Sequence, residues 1–526
     1  MDIMLLTSLG HAGWRIDTED VRLLMDPWLS RQGAFQAAWH QFPDSSHLDD
    51  PRVLDCDWVT VSHEHLDHMD LGVLTRLPER ARVLIPEYPS PVFRNRLAAA
   101  GVTRVVELPA WQRFELSTKG DWLTFIIEQS PMCNDSGVLV CAGGASVLHC
   151  NDARLTVAQA RRAATLAGGR LDVVGVQMSG ASWHPVCYEY PEEVRRRLSA
   201  EKREGKFKAV TRFLRGVEPG LAVPYAGPPC FLDPALAHHN RWIPAPGIFP
   251  DQAQAAAWLR DHLPGQEVQQ WLPGDTFEPA SGCRTPDPRW EGFSYDPDRV
   301  EGYLEDYARR RRPDVEAVYR SFPEPGDDLA ERFADHFARL GELSEYFLQR
   351  IGMTVRFEVE GPGGGRWDVH LGPERVRVDL DGRAREVQYR FRVASRWLAP
   401  AVAGRVGWED LLLSLRFSAW RSPDLYNDYL VGLLKHADEQ ALEAVEAYET
   451  TRAPDERIVV EGPDGPYEIG RYCPHAGEDL THGGIVTGGV LRCLGHNFDF
   501  DLATGACLNA RCNPLETRSL KGAAAG

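Results

Sequence analysis

Short apolar runs alternate with helix-period segments along the first half of the chain. Each apolar run has the length of a buried strand, and the segments between the runs have helical spacing. Strands that alternate with helices predict a layered α/β domain, which we place at residues 1–285. The predicted strands are Val21–Met25, Trp58–Val61, Leu123–Ile127, Gly137–Cys141, Val147–Leu148 and Val173–Met178.

The pattern changes in the second half of the chain. The segment Thr276–Asp298 is rich in Pro, Gly and Asp and predicts a linker. Helical and strand patterns mix over residues 299–452, which predicts an α+β middle domain. Residues 454–520 combine short strands with many glycines and paired Cys and His, which predicts a small antiparallel β domain. The predicted elements of the middle domain are a helix at Leu329–Gln349, strands at Thr354–Glu360 and Arg375–Leu380 joined by the turn Gly361–Gly365, and helices at Trp408–Phe417 and Asp424–Tyr448.

Charge and composition narrow the functional classes. The 526 residues include 58 Lys and Arg against 76 Asp and Glu, a formal charge of −18, which argues against nucleic acid or an anionic membrane as a partner. No apolar run approaches the ~20 residues of a membrane span. The opening Met1–Leu6 carries an acid where a signal peptide needs basic residues, so we expect an opening strand of a cytoplasmic protein. The 11 scattered cysteines do not form the framework of a secreted disulfide-rich domain.

Two loops of the C-terminal domain each offer one Cys and one His. They are the C-x-H pair Cys473 and His475 and, after 17 intervening residues, the C-x-x-H pair Cys493 and His496. A Rieske 2Fe-2S cluster needs two thiolates on one iron and two imidazoles on the other, so the pattern predicts such a cluster. A structural zinc site instead usually pairs like with like. Neither loop has the extra Cys of respiratory Rieske proteins, so the domain resembles Rieske ferredoxins and the Rieske domains of oxygenases.

A second group of metal ligands lies upstream. The predicted strand at Trp58–Val61 leads into His63, His65, Asp67 and His68, in the pattern H-x-H-x-D-H. Three imidazoles and a carboxylate on one tight turn can converge on one or two metal ions. A Rieske cluster only carries electrons, and the ~30 residues after the C-terminal loops are too few for a catalytic domain. The upstream group is therefore the predicted catalytic centre.

This motif resembles the metallo-β-lactamase family, whose fold is an αββα sandwich. The resemblance implies that His63 and His65 serve one metal position and that Asp67 and His68 serve the other. By the same resemblance, Asp152 would bridge the metals or complete the set. The remaining implied ligand is His184, which follows the next strand, while His11 and Asp26 are expected to orient ligands.

The chain departs from that family at one ligand. The family's middle His should follow the strand that ends near Gln129, but the segment Ser130–Asp135 contains no His. Glu128 or Asp135 could replace the imidazole. An oxygen-rich ligand set favours iron over zinc, with one or two irons both remaining open.

The pairing of the two motifs resembles the CMP-N-acetylneuraminate hydroxylase family, in which the Rieske domain is N-terminal. Similar strings outside the ligand motifs are Met178–Ser182, Pro224–Gly227 and Leu272–Asp275. The middle domain is similar to sterol-carrier-type domains. We expect it to form an apolar wall of the substrate pocket or the interface of a homo-oligomer.

The leading hypothesis is an iron-dependent monooxygenase. The Rieske cluster would relay electrons to one or two non-haem irons that activate O2. The product would be a hydroxylated small polar molecule, or one whose amine nitrogen is oxidised to a hydroxylamine or nitro group. Because no G-x-G-x-x-G follows a predicted strand, electrons from NAD(P)H are expected to arrive through a ferredoxin or a separate ferredoxin reductase. The imidazoles of His475 and His496 are expected to hydrogen-bond a carboxylate across an interface.

Two other hypotheses stay open. The first is a zinc-dependent hydrolase of the phosphodiesterase or lactonase type, with the Rieske domain as a redox sensor. The second is an electron-transfer protein whose N-terminal domain only binds a partner. Iron or zinc at the N-terminal centre separates the leading hypothesis from the hydrolase.

Overall fold

The computed structural model describes residues 3–129, 134–179, 182–225, 227–451, 456–475 and 477–521, and of Thr451 only the backbone. These residues form two compact units. The first unit contains the described residues up to 129, those from 134 to 179 and those from 200 to 315; the second contains residues 182–199 and those from 316 onwards. Gly180, Ala181 and Ala226, which belong to strings that carry the predicted resemblance, lie outside the described residues, as do Ser130–Cys133.

The first unit is built from two β-sheets and flanking helices. Its strands are β1 (Leu5–Gly10), β2 (Gly13–Asp17), β3 (Arg22–Met25), β4 (Trp58–Thr60), β5 (Arg82–Pro86), β6 (Val105–Leu108), β7 (Phe114–Glu115), β8 (Trp122–Ile127), β9 (Ser136–Ala142), β10 (Ala145–His149), β11 (Val173–Gln177), β12 (Leu221–Tyr225), β13 (Glu267–Val268), β14 (Thr276–Glu278) and β15 (Cys283–Thr285). Its α-helices are α1 (Leu71–Leu74), α2 (Val92–Ala99), α3 (Val157–Leu166), α4 (Glu192–Val217), α5 (Gln252–His262) and α6 (Pro297–Ser321), and the unit boundary falls within α4 and α6. Short 3-10 helices span Ser46–Leu48, Ala237–Trp242 and Pro288–Trp290.

Three apolar cores set the layers of this unit. One sheet has the order β15-β14-β1-β2-β3-β4-β5-β6 and the other β13-β12-β11-β10-β9-β8-β7. The central core lies between the sheets and contains Trp14 and Phe125. A second core packs helices on the second sheet, with Ala160 against Leu148, and a third packs α1 and α2 on the first sheet through residues such as Leu97. The order helix, sheet, sheet, helix confirms the predicted αββα sandwich.

The predicted linker at Thr276–Asp298 is wrong in its first part. Thr276 and Phe277 pair with Thr7 and Leu6 of β1, so β14 and β15 extend the first sheet. The Pro, Gly and Asp residues mark the turns around two very short strands, and Phe277 anchors them in the central core. Strands of three residues give too little periodicity to detect.

The second unit begins with an α+β part. Its five-stranded sheet has the order β18-β17-β16-β19-β20, and helices cover it around a core that includes Phe333, Phe357 and Trp408. The elements of the whole unit are β16 (Met353–Glu360), β17 (Gly365–Leu371), β18 (Val376–Asp379), β19 (Tyr389–Ala394), β20 (Phe417–Arg421), β21 (Tyr426–Asn427), β22 (Arg457–Gly462), β23 (Gly465–Gly470), β24 (Gly484–Thr487), β25 (Val490–Cys493), β26 (Phe498–Asp501), β27 (Ala510–Arg511) and β28 (Thr517–Ser519), with α7 (Leu329–Leu340), α8 (Glu345–Ile351), α9 (Ser395–Val402), α10 (Trp408–Leu413), α11 (Asp428–His436), α12 (Glu439–Thr451) and α13 (Leu480–Gly483).

Several element predictions in this part are wrong. The predicted helix Trp408–Phe417 ends at Leu413, and Phe417 begins β20. The predicted helix Asp424–Tyr448 is the short strand β21 followed by two helices, α11 and α12.

The predicted helix Leu329–Gln349 is two helices, interrupted at Gly341. The Gly361–Gly365 turn leads into β17, a strand that the sequence did not predict. Asp368 of β17 is fully buried and bonded to Arg356 Nε at 2.7 Å, so a charged residue hides the apolar pattern of the strand.

The C-terminal strands form two antiparallel three-stranded sheets, β22-β23-β28 and β24-β25-β26. Their core includes Ile469, Leu491 and Phe500. The strand β27 pairs in parallel with β21, which directly precedes α11. The two antiparallel three-stranded sheets confirm the predicted antiparallel β fold. Within the described ranges, no helix is long and apolar enough to cross a membrane.

Candidate metal centres

Four loops of the first unit carry the predicted ligands of the catalytic centre. His11 lies in the turn between β1 and β2, and Asp26 directly follows β3. The H-x-H-x-D-H loop follows β4, the parallel neighbour of β3, and Asp152 follows β10 in the other sheet. Polar residues at the carboxyl ends of parallel strands meet at one edge of the sheet, where α/β folds commonly bind ligands.

Three of these loops contain a residue in the left-handed region of backbone space. The φ angles are +50° for His11, +42° for Asp26 and +50° for Asn151. Residues other than Gly adopt this conformation at a cost, and such residues cluster at functional sites. Asn151, which precedes Asp152, is one of the residue types that tolerate this conformation best. It therefore suits the turn that presents Asp152.

The first ligand set combines two imidazoles with one carboxylate. His63 Nε2 lies 2.8 Å from His65 Nδ1, and His63 Nδ1 lies 3.5 Å from Asp135 Oδ1. One ligand atom from each of these three side chains fits within 4.8 Å of the others. The predicted residues therefore converge, and they bring a carboxylate where the resembled family has an imidazole.

The second ligand set consists of Asp67, His68 and Asp152. It lies next to the first set, since the ring centroids of His63 and His68 are 4.2 Å apart. His68 Nε2 lies 3.3 Å from Asp152 Oδ1 and 3.9 Å from Asp67 Oδ2. Asp67 Oδ1, His68 Nε2 and Asp152 Oδ1 are buried and make no hydrogen bond within the described residues. Buried polar atoms are normally hydrogen-bonded or bind metals, so these orphaned atoms fit a metal ion.

Electrostatics keeps the Asp152 carboxylate in the ionised form that a metal needs. Burial alone would raise the pKa of Asp152, but the imidazolium of His68 outweighs burial and holds the pKa of that carboxyl below its usual range. Carboxylate ligands bind metals only when ionised. Asp152 is therefore available as an anion.

Asp26 and His11 contact the second ligand set, and their predicted role in orienting its ligands stays a prediction because each also falls in a candidate ligand group. The Asp26 carboxylate lies 2.7 Å from His68 Nδ1 and accepts a hydrogen bond from the Ser62 backbone N–H at 2.8 Å. A carboxylate behind an imidazole fixes its tautomer and turns its other nitrogen towards the metal. His11 Nε2 lies 3.0 Å from Asp67 Oδ2, so it holds the other side of that set.

The two carboxylates offered as replacements for the missing His have different surroundings. Glu128 is buried and engaged with Arg154, whose backbone N–H donates to Glu128 Oε2 at 2.9 Å and whose Nε lies 3.3 Å from Oε1. Asp135 instead lies beside His63 and forms a candidate ligand group with His63 and His65. The geometry therefore favours Asp135 over Glu128.

His184 belongs to the second unit. Its Nε2 lies 3.4 Å from Tyr190 Oη and 3.5 Å from an Arg421 guanidinium nitrogen. Both neighbours belong to the second unit, like His184 itself. The role of His184 as a metal ligand stays a prediction.

The predicted Rieske ligands converge in the second unit. Cys473 and Cys493 are fully buried, and their thiols hydrogen-bond to each other. The rings of His475 and His496 meet edge to face with 4.3 Å between centroids. Two thiols and two imidazoles in one buried place match the donor set of a Rieske cluster.

The two Rieske loops close in the same way. The Gly477 N–H donates to the Cys473 carbonyl at 2.9 Å, and the Asn497 N–H donates to the Cys493 carbonyl at 2.7 Å. Both donors have left-handed backbones, with φ of +68° for Gly477 and +57° for Asn497. Each loop thus turns back four residues after its Cys, which sets the Cys and His of one loop on the same side.

One predicted cluster ligand contacts a carboxylate of its own compact unit, so the expected contact across an interface stays a prediction. Asp428 Oδ1 lies 3.1 Å from His475 Nε2, and both side chains are buried. This contact leaves Nδ1, on the other side of the ring, as the nitrogen for iron. Asp428 is the first residue of α11, and the pairing of β21 with β27 brings that helix start to the Rieske loops. Because only long-range packing brings Asp428 to His475, the sequence pattern could not show this contact.

Protein-family comparisons match three stretches of the chain. Residues 5–183 match a beta-lactamase superfamily domain, residues 329–451 an Rv3818-like, SCP2-like domain, and residues 433–519 a Rieske [2Fe-2S] domain. These matches confirm the metallo-β-lactamase-like and Rieske assignments made from the sequence.

Individual relatives share one or both parts. Rieske 2Fe-2S iron-sulfur proteins of Mycobacterium tuberculosis and Mycolicibacterium smegmatis are each 30% identical to this chain over 98% of its length. The matches cover 99% of the first protein and 100% of the second. The cytidine monophosphate-N-acetylneuraminic acid hydroxylase of Mus musculus is 27% identical over 42% of this chain and 38% of its own. Among solved structures, CmlA, a diiron beta-hydroxylase from Streptomyces venezuelae, is 19% identical with a TM-score of 0.37, covering 53% of this chain and 54% of its own.

Proposed function

Because the chain belongs to the family of the mycobacterial Rieske 2Fe-2S iron-sulfur proteins, we propose that it is an iron-dependent monooxygenase. Its Rieske part and its hydroxylase relatives support an oxygenase linked to a Rieske cluster. The finer proposal is that the first unit holds one or two non-haem irons and that its substrate is a small polar molecule. The product is either a hydroxylated carbon or an oxidised amine nitrogen.

The observation that carries the proposal is the ligand chemistry of the first set. His63, His65 and Asp135 make a combination of two imidazoles and one carboxylate, which is typical of non-haem iron(II) oxygenases. Asp67, His68 and Asp152 add a second, oxygen-rich set next to it. Such ligands favour iron over zinc, and the two sets together support a dinuclear site.

The chain's own residues hold and orient the groups that the reaction needs. Cys473, His475, Cys493 and His496 would hold the Rieske cluster, and Asp428 fixes the ring of His475. Asp26 and His11 fix the ligands of the second set. When bound, the iron would supply dioxygen activation and the cluster would supply single electrons. We expect NAD(P)H to provide those electrons through a ferredoxin or ferredoxin reductase.

Metal analysis of anaerobically purified protein tests this proposal. We expect about two irons from the cluster and one or two more from the first unit. Asp135→Ala should lower the iron content by the iron of the first set, about one per chain, and Glu128→Gln serves as the matched control.

The same metal analysis distinguishes the oxygenase from the competing zinc hydrolase. Zinc in the first unit, together with phosphodiesterase or lactonase activity in protein that lacks the extra iron, would overturn the oxygenase. Oxygen consumption coupled to product from amine, sugar or acid substrates would support it.

A further inference from the structure

The first unit has a cationic cavity of about 330 Å3 beside the 43–47 segment. Four arginines line it, together with His47 and Asp44: Arg31, Arg289, Arg310 and Arg311. None of these residues belongs to the ligand sets described above. A pocket of this size is at the lower end of the range for small-molecule sites.

The floor of the cavity is rigid and charged. Arg311 is buried and its guanidinium lies 3.1 Å from Asp44 Oδ2, while the same group also donates to Ser46 Oγ. The Asp44 backbone N–H donates to Tyr303 Oη at 2.8 Å. These bonds join α6 to the 43–47 segment and fix the position of the Arg311 guanidinium.

Positive charge exceeds negative charge in this cavity. Arg310 lies 3.3 Å from Asp44 and so shares its carboxylate with Arg311. Within the described part of the chain, Arg31 and Arg289 form no ion pair and no side-chain hydrogen bond. Four guanidinium groups therefore face one lining carboxylate, in a protein whose overall charge is −18.

One buried donor on the cavity wall points to a missing partner. Arg311 Nε is buried and makes no hydrogen bond within the described residues. A buried donor of this kind is normally satisfied by a partner, which an anion with several oxygens would provide.

The cavity lies one chain segment away from the candidate metal ligands. A Cβ placed on Gly10 would lie 2.8 Å from the Ser45 Cβ, so the 43–47 segment touches the backbone next to His11. His11 in turn contacts Asp67 of the second ligand set. The 43–47 segment therefore connects the cavity wall to the turn that carries His11.

We propose that this cavity binds the anionic group of the substrate, a phosphate or a carboxylate on a small organic molecule. Planar guanidinium groups bind both anions through paired hydrogen bonds. The half-buried Trp290 lines the same cavity and offers an aromatic surface to the organic part. The word substrate rests on the proposed oxygenase function, whereas anion binding by the cavity does not.

Calorimetric titration of the full-length, iron-loaded protein tests the site. The probes are inorganic phosphate, succinate and adenosine monophosphate, which separate phosphate from carboxylate recognition. Arg31→Gln and Arg289→Gln change exposed residues and should each weaken binding about tenfold or more, because each removes a charged hydrogen-bond donor pair. Arg82→Gln is the matched control, since Arg82 is exposed on β5 and has no ionic partner within the described residues.

The possible outcomes separate the two proposals. Saturable binding that Arg31→Gln and Arg289→Gln weaken, and that Arg82→Gln leaves within about twofold, supports the cavity. Absence of saturable binding for all three probes, or binding that Arg289→Gln leaves unchanged, overturns it. Anion binding that persists in a protein without oxygenase activity would overturn the proposed function alone.

Discussion

At the scale of single residues, the first prediction concerns which carboxylate completes the first ligand set. Asp135→Ala should remove a ligand and release iron from the first set, whereas Glu128→Gln should retain it because Glu128 is engaged with Arg154. Losing a residue that only orients a ligand lowers metal affinity by about tenfold to a hundredfold, and losing the ligand itself should cost at least as much. The measurement is iron per chain in the two variants, after dialysis against a mild chelator. Equal iron loss in both variants would contradict the choice of Asp135.

Asp428 should tune the Rieske cluster through His475. A reduced cluster carries one more negative charge than an oxidised one, and a nearby carboxylate disfavours that charge. Asp428→Asn should therefore raise the midpoint potential, by about 30–60 mV, with 59 mV being a tenfold change for one electron. An EPR-monitored redox titration checks this shift.

Asp424→Asn is the matched control for that prediction. Asp424 lies four residues earlier, is half-exposed, and binds Arg421 and Tyr190 instead of His475. Its variant should keep the wild-type potential. An unchanged potential in Asp428→Asn would show that this carboxylate does not act on the cluster, and a lowered potential would contradict the electrostatic direction.

At the scale of elements, helix α6 depends on one buried ion pair. Burial would raise the pKa of Asp44, but the Ser46 hydroxyl and the guanidinium groups of Arg311 and Arg310 outweigh it and hold the pKa below its usual value. Asp44→Asn removes the closer of the two carboxylates that contact Arg311, at 3.1 Å against 3.6 Å for Asp314, and should lower the free energy of unfolding of the first unit by about 2 kcal/mol at neutral pH.

The effect of Asp44→Asn should depend on pH in a defined direction. A lowered carboxyl pKa stabilises the fold above about pH 4 and loses its contribution as the pH falls through the folded pKa. The difference between wild type and variant should therefore be full at pH 7 and shrink at lower pH, as measured by urea midpoints. Asp50→Asn, in an exposed pair with Arg52, should have no measurable effect. A pH-independent difference would contradict the ionic origin.

The sequence predicted the features that depend on local pattern and missed those that depend on long-range packing. Apolar runs located the central strands, and the spacing of Cys and His located both metal motifs, because these signals lie within a few residues of each other. Very short strands such as β14 gave no period, and the buried Asp368 concealed β17. The choice of Asp135 over Glu128 and the contact of Asp428 with His475 depend on segments far apart in the chain, so the sequence could not reveal them.

At the scale of the whole molecule, the two metal centres belong to different compact units. All predicted Rieske ligands lie in the second unit, and the residues of both candidate ligand sets lie in the first. His65→Ala should therefore abolish product formation and leave the Rieske spectrum intact. Cys493→Ser should abolish the Rieske spectrum and leave iron in the first unit. Absorption and EPR spectra with metal analysis check both, and loss of both centres in either variant would mean that the units fold together.

The contrast between an acidic protein and its cationic cavity has a kinetic consequence. The net charge of −18 repels an approaching anion over the whole surface, whereas the arginines of the cavity attract it only nearby. At 0.01 M ionic strength the repulsion extends about 30 Å, and at physiological ionic strength it extends about 8 Å. Added salt should therefore first accelerate the entry of an anionic ligand and, at the same time, shorten its residence. Affinity alone would hide these two opposing changes, which stopped-flow measurements at several salt concentrations would separate.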